Sequence, residues 1–135
     1  MKPSTFDVAG RRTRINVFKV GRIWTFKHFF GDKEIFKDLA DHYNRDNWRF
    51  EFVTEFERDE AIKKLEPRGF DFFVVEDLAG YVVSLDRSSK YAPVLKNSIE
   101  HGETREERIF LMKDLASVEE ALVLGAEIYQ GIIPF

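Results

Sequence analysis

The chain contains no cysteine. That excludes disulfides, thiolate nucleophiles and Cys-ligated metal centres, and it suits a reducing compartment. Nowhere do eighteen apolar residues run together, so no helix of bilayer length is encoded. The start, Met1-Lys2-Pro3-Ser4-Thr5-Phe6-Asp7, lacks the apolar stretch of a signal peptide, and a cytosolic location without membrane contact is the expectation. Gln130 is the single glutamine, beside abundant Lys, Arg, Asp and Glu, a balance that suggests a heat-adapted source. Motifs of chemistry are missing too. There is no glycine-rich phosphate loop, no Gly-x-Ser-x-Gly elbow and no carboxylate–histidine cluster at metal-ligand spacing. Nor is there the aromatic–glycine strand motif of RNA-recognition domains. Nothing implies a cofactor.

What is present suits one folded domain: 135 residues, 44% of them hydrophobic, with fourteen Phe to fill a core. The net charge of −3 is unevenly spread. Residues 1–30 carry seven basic side chains against Asp7 alone, while the remainder holds 14 bases and 23 acids. A basic beginning on an acidic body pairs internally or binds an anion.

Residues 1–13, with Pro3, Gly10 and an arginine pair, read as a flexible segment, and 14–135 as a single α+β domain. Strands are expected over 14–20 and 23–30, joined at Gly21-Arg22 by a type II′ turn, with Trp24, Phe26, His28 and Phe30 on the core face. Asp32 caps a helix to about Arg45. A strand at 48–54 follows, then a helix over 58–66 ended by Pro67 and Gly69, and a strand at 70–76. Further expectations are a strand at 81–86, a helix capped by Ser88 or Ser89 and running to His101, a strand at 108–113, and a helix from Ser117 to near Gly131.

The order is ββαβαββαβα. Within it, 48–113 spells the ferredoxin-like β-α-β-β-α-β arrangement. The chain also divides into pseudo-repeats, 14–66 and 70–131, in which Asp59-Glu60-Ala61-Ile62 lies over Glu119-Glu120-Ala121-Leu122. Either way, one mixed, mainly antiparallel sheet with helices largely on one face is expected.

Functional candidates follow from placement. Arg87, Ser88, Ser89 and Lys90 join a strand end to a helix start, offering amides, hydroxyls and cations to an anion. Arg11, Arg12, Arg14, Lys19, Arg22 and Lys27 form the basic beginning, where Phe18 with Lys19 and Phe29 with Lys27 could stack and hold bases. His28 falls on an apolar strand face, His42 lies in register with Glu34 and Asp38, and His101 closes a helix; none makes a catalytic site alone. The apolar tail Ile132-Ile133-Pro134-Phe135 and the last helix suit a contact within the chain or between two copies. The leading expectation is a non-catalytic binding or regulatory module, homodimeric, taking an anionic small molecule or a protein partner. Nucleic-acid binding through the basic hairpin is the alternative, and an enzyme with a spatially assembled His–carboxylate site the third.

Overall fold

The computed structural model describes residues 12–135. The expected flexible segment therefore lies almost wholly outside the described residues. Its last two, Arg12 and Thr13, are docked: Arg12 bonds Asp71, and Thr13 opens a strand.

The strands are β1 (Thr13–Val20), β2 (Ile23–Phe26), β3 (Tyr43–Asn44), β4 (Arg49–Phe52), β5 (Phe70–Val75), β6 (Val82–Asp86), β7 (Ser98–Glu103), β8 (Glu107–Met112) and β9 (Glu127–Ile128). Between them lie helices α1 (Lys33–Leu39), α2 (Glu55–Leu65), α3 (Ala92–Leu95) and α4 (Leu115–Val123). Gly21 has φ +60°, the left-handed conformation that the β1–β2 turn requires of its first central residue. Asp32 caps α1 by accepting from the Glu34 amide, as its position implies.

Two sheets are built, not one. The first has the order β3-β4-β2-β1-β5, antiparallel except for the parallel pair β1–β5; the second, β7-β8-β6-β9, is antiparallel throughout. The physical reason lies in strands that are apolar on both faces. On β1, Ile15 and Val17 meet the helix side while Phe18 and Val20 meet the other; on β8, Phe110 and Met112 alternate in the same way with Ile109 and Leu111. Such strands need cover on both faces, and a second sheet supplies it.

Four layers result. One core lies between α1, α2 and the first sheet, around Phe26, Phe50 and Phe52. A second lies between α3, α4 and the second sheet, around Val83 and Phe110. The third, with Phe18, Val82 and Leu111, lies between the sheets. The β-α-β-β-α-β run expected over 48–113 is divided between the sheets. That order occurs over 23–75 and again over 82–128, and in both the strands take the same relative positions, with β1 wedged between β2 and β5 in the first.

Each helix differs from expectation, and so does the second strand. β2 ends at Phe26 rather than Phe30, leaving His28 and Phe30 beyond it. Where the sequence suggests a helix to about Arg45, α1 ends at Leu39 and a 3-10 turn leads into β3, because Tyr43 and Asn44 pair with β4. α2 starts at Glu55, capped by Thr54, rather than at Arg58. The segment 88–101 is a four-residue helix followed by β7, because pairing with β8 outweighs the helical pattern around His101. Gly102 is accordingly a strand residue rather than a helix cap. A Cβ there would meet Pro134 Cγ at 3.1 Å, so its smallness admits the C-terminal tail. The last helix starts earlier, with Asp114 rather than Ser117 as its cap, and stops before Gly125 at φ +106°. Of the tail, Ile133 and Phe135 pack on the core between the sheets, while Ile132 is exposed.

The polar end of that inter-sheet space is closed by side chains of the first sheet donating to carbonyls of the second. Arg49 Nη1 donates to Ile99 O at 2.7 Å, Lys27 Nζ to Ser98 O at 2.9 Å, and Asn16 Nδ2 to Lys113 O at 3.3 Å. Arg49 is buried and also holds Glu51 at 2.7 Å and Glu100 at 3.3 Å. Arg49→Ala leaves both carboxylates and the Ile99 carbonyl without that partner, and should cost about 3 kcal/mol. Urea unfolding with an unchanged denaturant slope is the measurement. Arg49→Lys should recover only part, since an ammonium cannot fork to three acceptors held this way.

Candidate functional site

Where the sheets part beside these polar ties, a groove of about 1000 Å³ opens. Its first wall is the segment that leaves β2 and leads into α1. This segment contributes Lys27, His28, Phe29 and Phe30, with Lys33 and Phe36 from α1 itself. Tyr43, Phe50 and Trp48 come from β3, β4 and the turn between them. Lys96, Asn97 and Lys113 close it from the second sheet's side. Four lysines and no carboxylate line it.

The aromatic rings divide into floor and rim. Phe50 is buried and touches Phe26, Phe30, Phe36 and Tyr43 at centroid distances of 4.9–5.9 Å, which fixes the floor. Phe29 and Trp48 stand on the rim, 90% and 66% exposed. Trp48 has φ +56°, the one left-handed non-glycine backbone among the described residues. An indole there costs on the order of 1–2 kcal/mol. The conformation is held by an Asn44 side-chain turn, in which Oδ1 accepts from the Asp46 amide at 2.9 Å and the Asn47 amide at 3.2 Å. A second hollow of about 290 Å³ continues past Trp48 and shares Lys27, Trp48 and Lys96 with the groove.

Electrostatics follow from the lining. Burial, then the charges of Lys113 and Arg49, hold the Lys27 ammonium below its usual pKa. Burial and Lys113 likewise lower His28. Lys113 itself has a partner, Asp114 Oδ2 at 3.3 Å.

The residues singled out from sequence meet different fates. At 87–90 Arg87, Ser88 and the Ser89 amide are engaged within the chain. Asp86 Oδ1 accepts from the Ser88 amide at 2.8 Å and its hydroxyl at 2.5 Å, and these bonds lower the Asp86 pKa. Ser89 N donates to Asp86 O, and Arg87 pairs with Glu103 at 3.1 Å. Lys90 is exposed, and the helix beyond begins only at Ala92, so neither Ser88 nor Ser89 caps it.

The basic hairpin is not one patch. Arg11 lies outside the described residues. Arg12 is bound to Asp71 at 2.8 Å and to the Glu66 carbonyl at 2.7 Å. Arg14 lies 3.8 Å over Phe73, and Lys19, on the opposite face of β1, lies 4.4 Å over Trp24. Arg22 is exposed in the turn. Phe18 is fully buried and cannot stack on anything from solvent. Of that set only Lys27, with its neighbour Phe29, reaches the groove.

The histidine rings are in aromatic contacts: His28 with Phe30 at 4.8 Å and Phe70 at 5.6 Å, His42 with Phe52 at 4.6 Å, and His101 with Phe110 at 6.2 Å. Asp38, read as a partner for His42, pairs instead with Arg68 at 2.9 Å. Among the described residues no group of three His, Asp or Glu side chains could hold a metal ion, and no helix is long and apolar enough to cross a membrane.

Sequence reasoning missed Trp48, Lys96 and Lys113 as partners; Lys33 lies in the stretch 28–33, the strand-to-helix junction that the pseudo-repeat places opposite 86–90. Trp48 was legible as a strand start but not as a left-handed residue; Lys96 was hidden by the expected helix. No family model matches the chain, and no curated protein or solved structure matches it.

The lowered His28 pKa sets a pH dependence. The unfolded chain takes up this proton more readily than the native one. The stability tied to neutral His28 is therefore whole above about pH 6.5 and is lost as pH falls through the lower native value. Urea midpoints measured from about pH 7 down to 5 should fall less in His28→Phe than in the unmodified chain. Equal slopes would assign the acid sensitivity to other groups.

Proposed function

We propose that this chain is a non-catalytic binding module that takes an organic anion bearing a flat ring in the groove beside Phe29 and Trp48. The observation that carries the reading is the lining: four lysines and no carboxylate, around exposed aromatic rings, on a chain whose net charge is −3. Ammonium groups select the anion and the rings select a planar body. The strained Trp48 supports it, since backbone strain retained at an exposed residue is a feature of ligand clamps.

Only two tryptophans are present, and Trp24 is buried. Adenosine monophosphate should therefore quench the solvent-exposed, red-shifted part of the emission, which belongs to Trp48. The variant carrying Lys33→Glu and Lys96→Glu should bind it about tenfold more weakly. The reading falls if no ring-bearing anion, from adenosine monophosphate to a longer polyanion, alters that emission. It falls equally if inorganic phosphate alters it as strongly.

A separate observation favours self-association. The C-terminal end of α4 presents Val123 and the following Leu124 to solvent, Val123 being 87% exposed. We propose that this end forms a two-fold contact between copies. Light scattering should give twice the chain mass at high concentration and the single mass for Val123→Glu. A single mass for both at every concentration rejects the dimer.

A further inference from the structure

Resting on the groove reading, we infer that the ligand is a single-stranded nucleic acid, running past Trp48 from the lysine-lined groove into the second hollow. Three observations carry the step from a ring-bearing anion to a strand.

The first is extent. At about 1000 Å³ the groove already reaches the upper end of pockets that enclose one small molecule, and it continues into a further hollow of about 290 Å³. The second is the charge. Lys33 and Lys96 have no ion-pair partner among the described residues, while Lys27, which donates to the Lys96 and Ser98 carbonyls, and Lys113, paired with Asp114, add positive charge to the same groove. Together they favour a chain of phosphates over a singly charged ligand. The third is the placement of the rings. Phe29 and Trp48 stand open to solvent on the rim, and Trp48 lines both hollows. Open rings at successive points along a basic track are stacking platforms for unpaired bases. A duplex keeps its base faces stacked inside and offers them nothing.

The second hollow fits a base better than a phosphate. It carries Asp46 and Glu100, but Glu100 is engaged by Arg49, and apolar Leu95 and Ile99 lie beside the Asn47 amide. An amide can serve a base edge as donor and acceptor. The phosphates accordingly follow the lysines on the other side of Trp48.

The test uses the full chain and fluorescein-labelled oligothymidine and oligouridine of roughly ten nucleotides, followed by anisotropy. A matched duplex and unlabelled thymidine monophosphate serve as competitors. Either single strand should bind at least tenfold more tightly than the duplex or the mononucleotide. The plot of log affinity against log salt should have a slope of about −1.4, as two lysine–phosphate contacts on a single strand, by Lys33 and Lys96, give. Trp48→Ala and Phe29→Ala should each weaken the strand about tenfold, and Trp48→Tyr should restore most of the loss. Thermal midpoints of the variants close to that of the unmodified chain show that folding is intact. If that is lost in Trp48→Ala, Phe29→Ala, at a residue of ordinary backbone, carries the test.

The outcomes separate the two readings. A mononucleotide that binds as tightly as the strand overturns the strand and leaves the anion groove. A strand that binds while the mononucleotide does not upholds both, since the strand is itself such an anion. Strand affinity unchanged in both aromatic variants places nucleic acid elsewhere and overturns this inference, and no binding by any of them overturns both.

Discussion

The architecture depends on two sheets closing over one another, and at the polar end that closure is made by Arg49. Its guanidinium is buried, holds two carboxylates, and reaches a main-chain carbonyl of the opposite sheet. A buried guanidinium is costly unless every direction it points is answered, and here the answers come from β4 itself and from β7. The contact therefore fixes the register between sheets as much as their attraction. Lys27 and Asn16 repeat the pattern on either side, each a first-sheet donor on a second-sheet carbonyl. At the apolar end the closure needs no such specificity, because Phe18, Val82, Ile109 and Leu111 bury area against one another in the ordinary way.

The division between a polar and an apolar end is what makes a groove possible. Burial, and after it the charges of Lys113 and Arg49, lowers the pKa of Lys27 at the polar end. The same geometry places uncharged rings, Phe29 and Trp48, beside those charges.

Much of the fold was legible. The Gly21 turn, the Asp32 cap, the alternation through Trp24 and Phe26 and the apolar run at 70–75 all read correctly because each depends on neighbours close in sequence. The failures are long-range. Residues 98–103 became a strand because β8 was there to pair with, and a second sheet formed because strands apolar on both faces had to be covered twice. The site was half legible: Lys27 and Phe29 stood out, whereas Lys96 and Lys113 lie far along the chain and meet them only through the sheet-to-sheet contact.

By itself the sequence determined the α+β class, the exclusion of thiol chemistry and the face on which β2 would bury Trp24 and Phe26, since composition and period two suffice for these. Only the tertiary structure decided which side chains became a site. Phe18 and Phe29 look alike in sequence, each beside a basic residue. One is sealed between two sheets and the other stands open on a groove, because burial is a property of what packs against a residue and not of the residue.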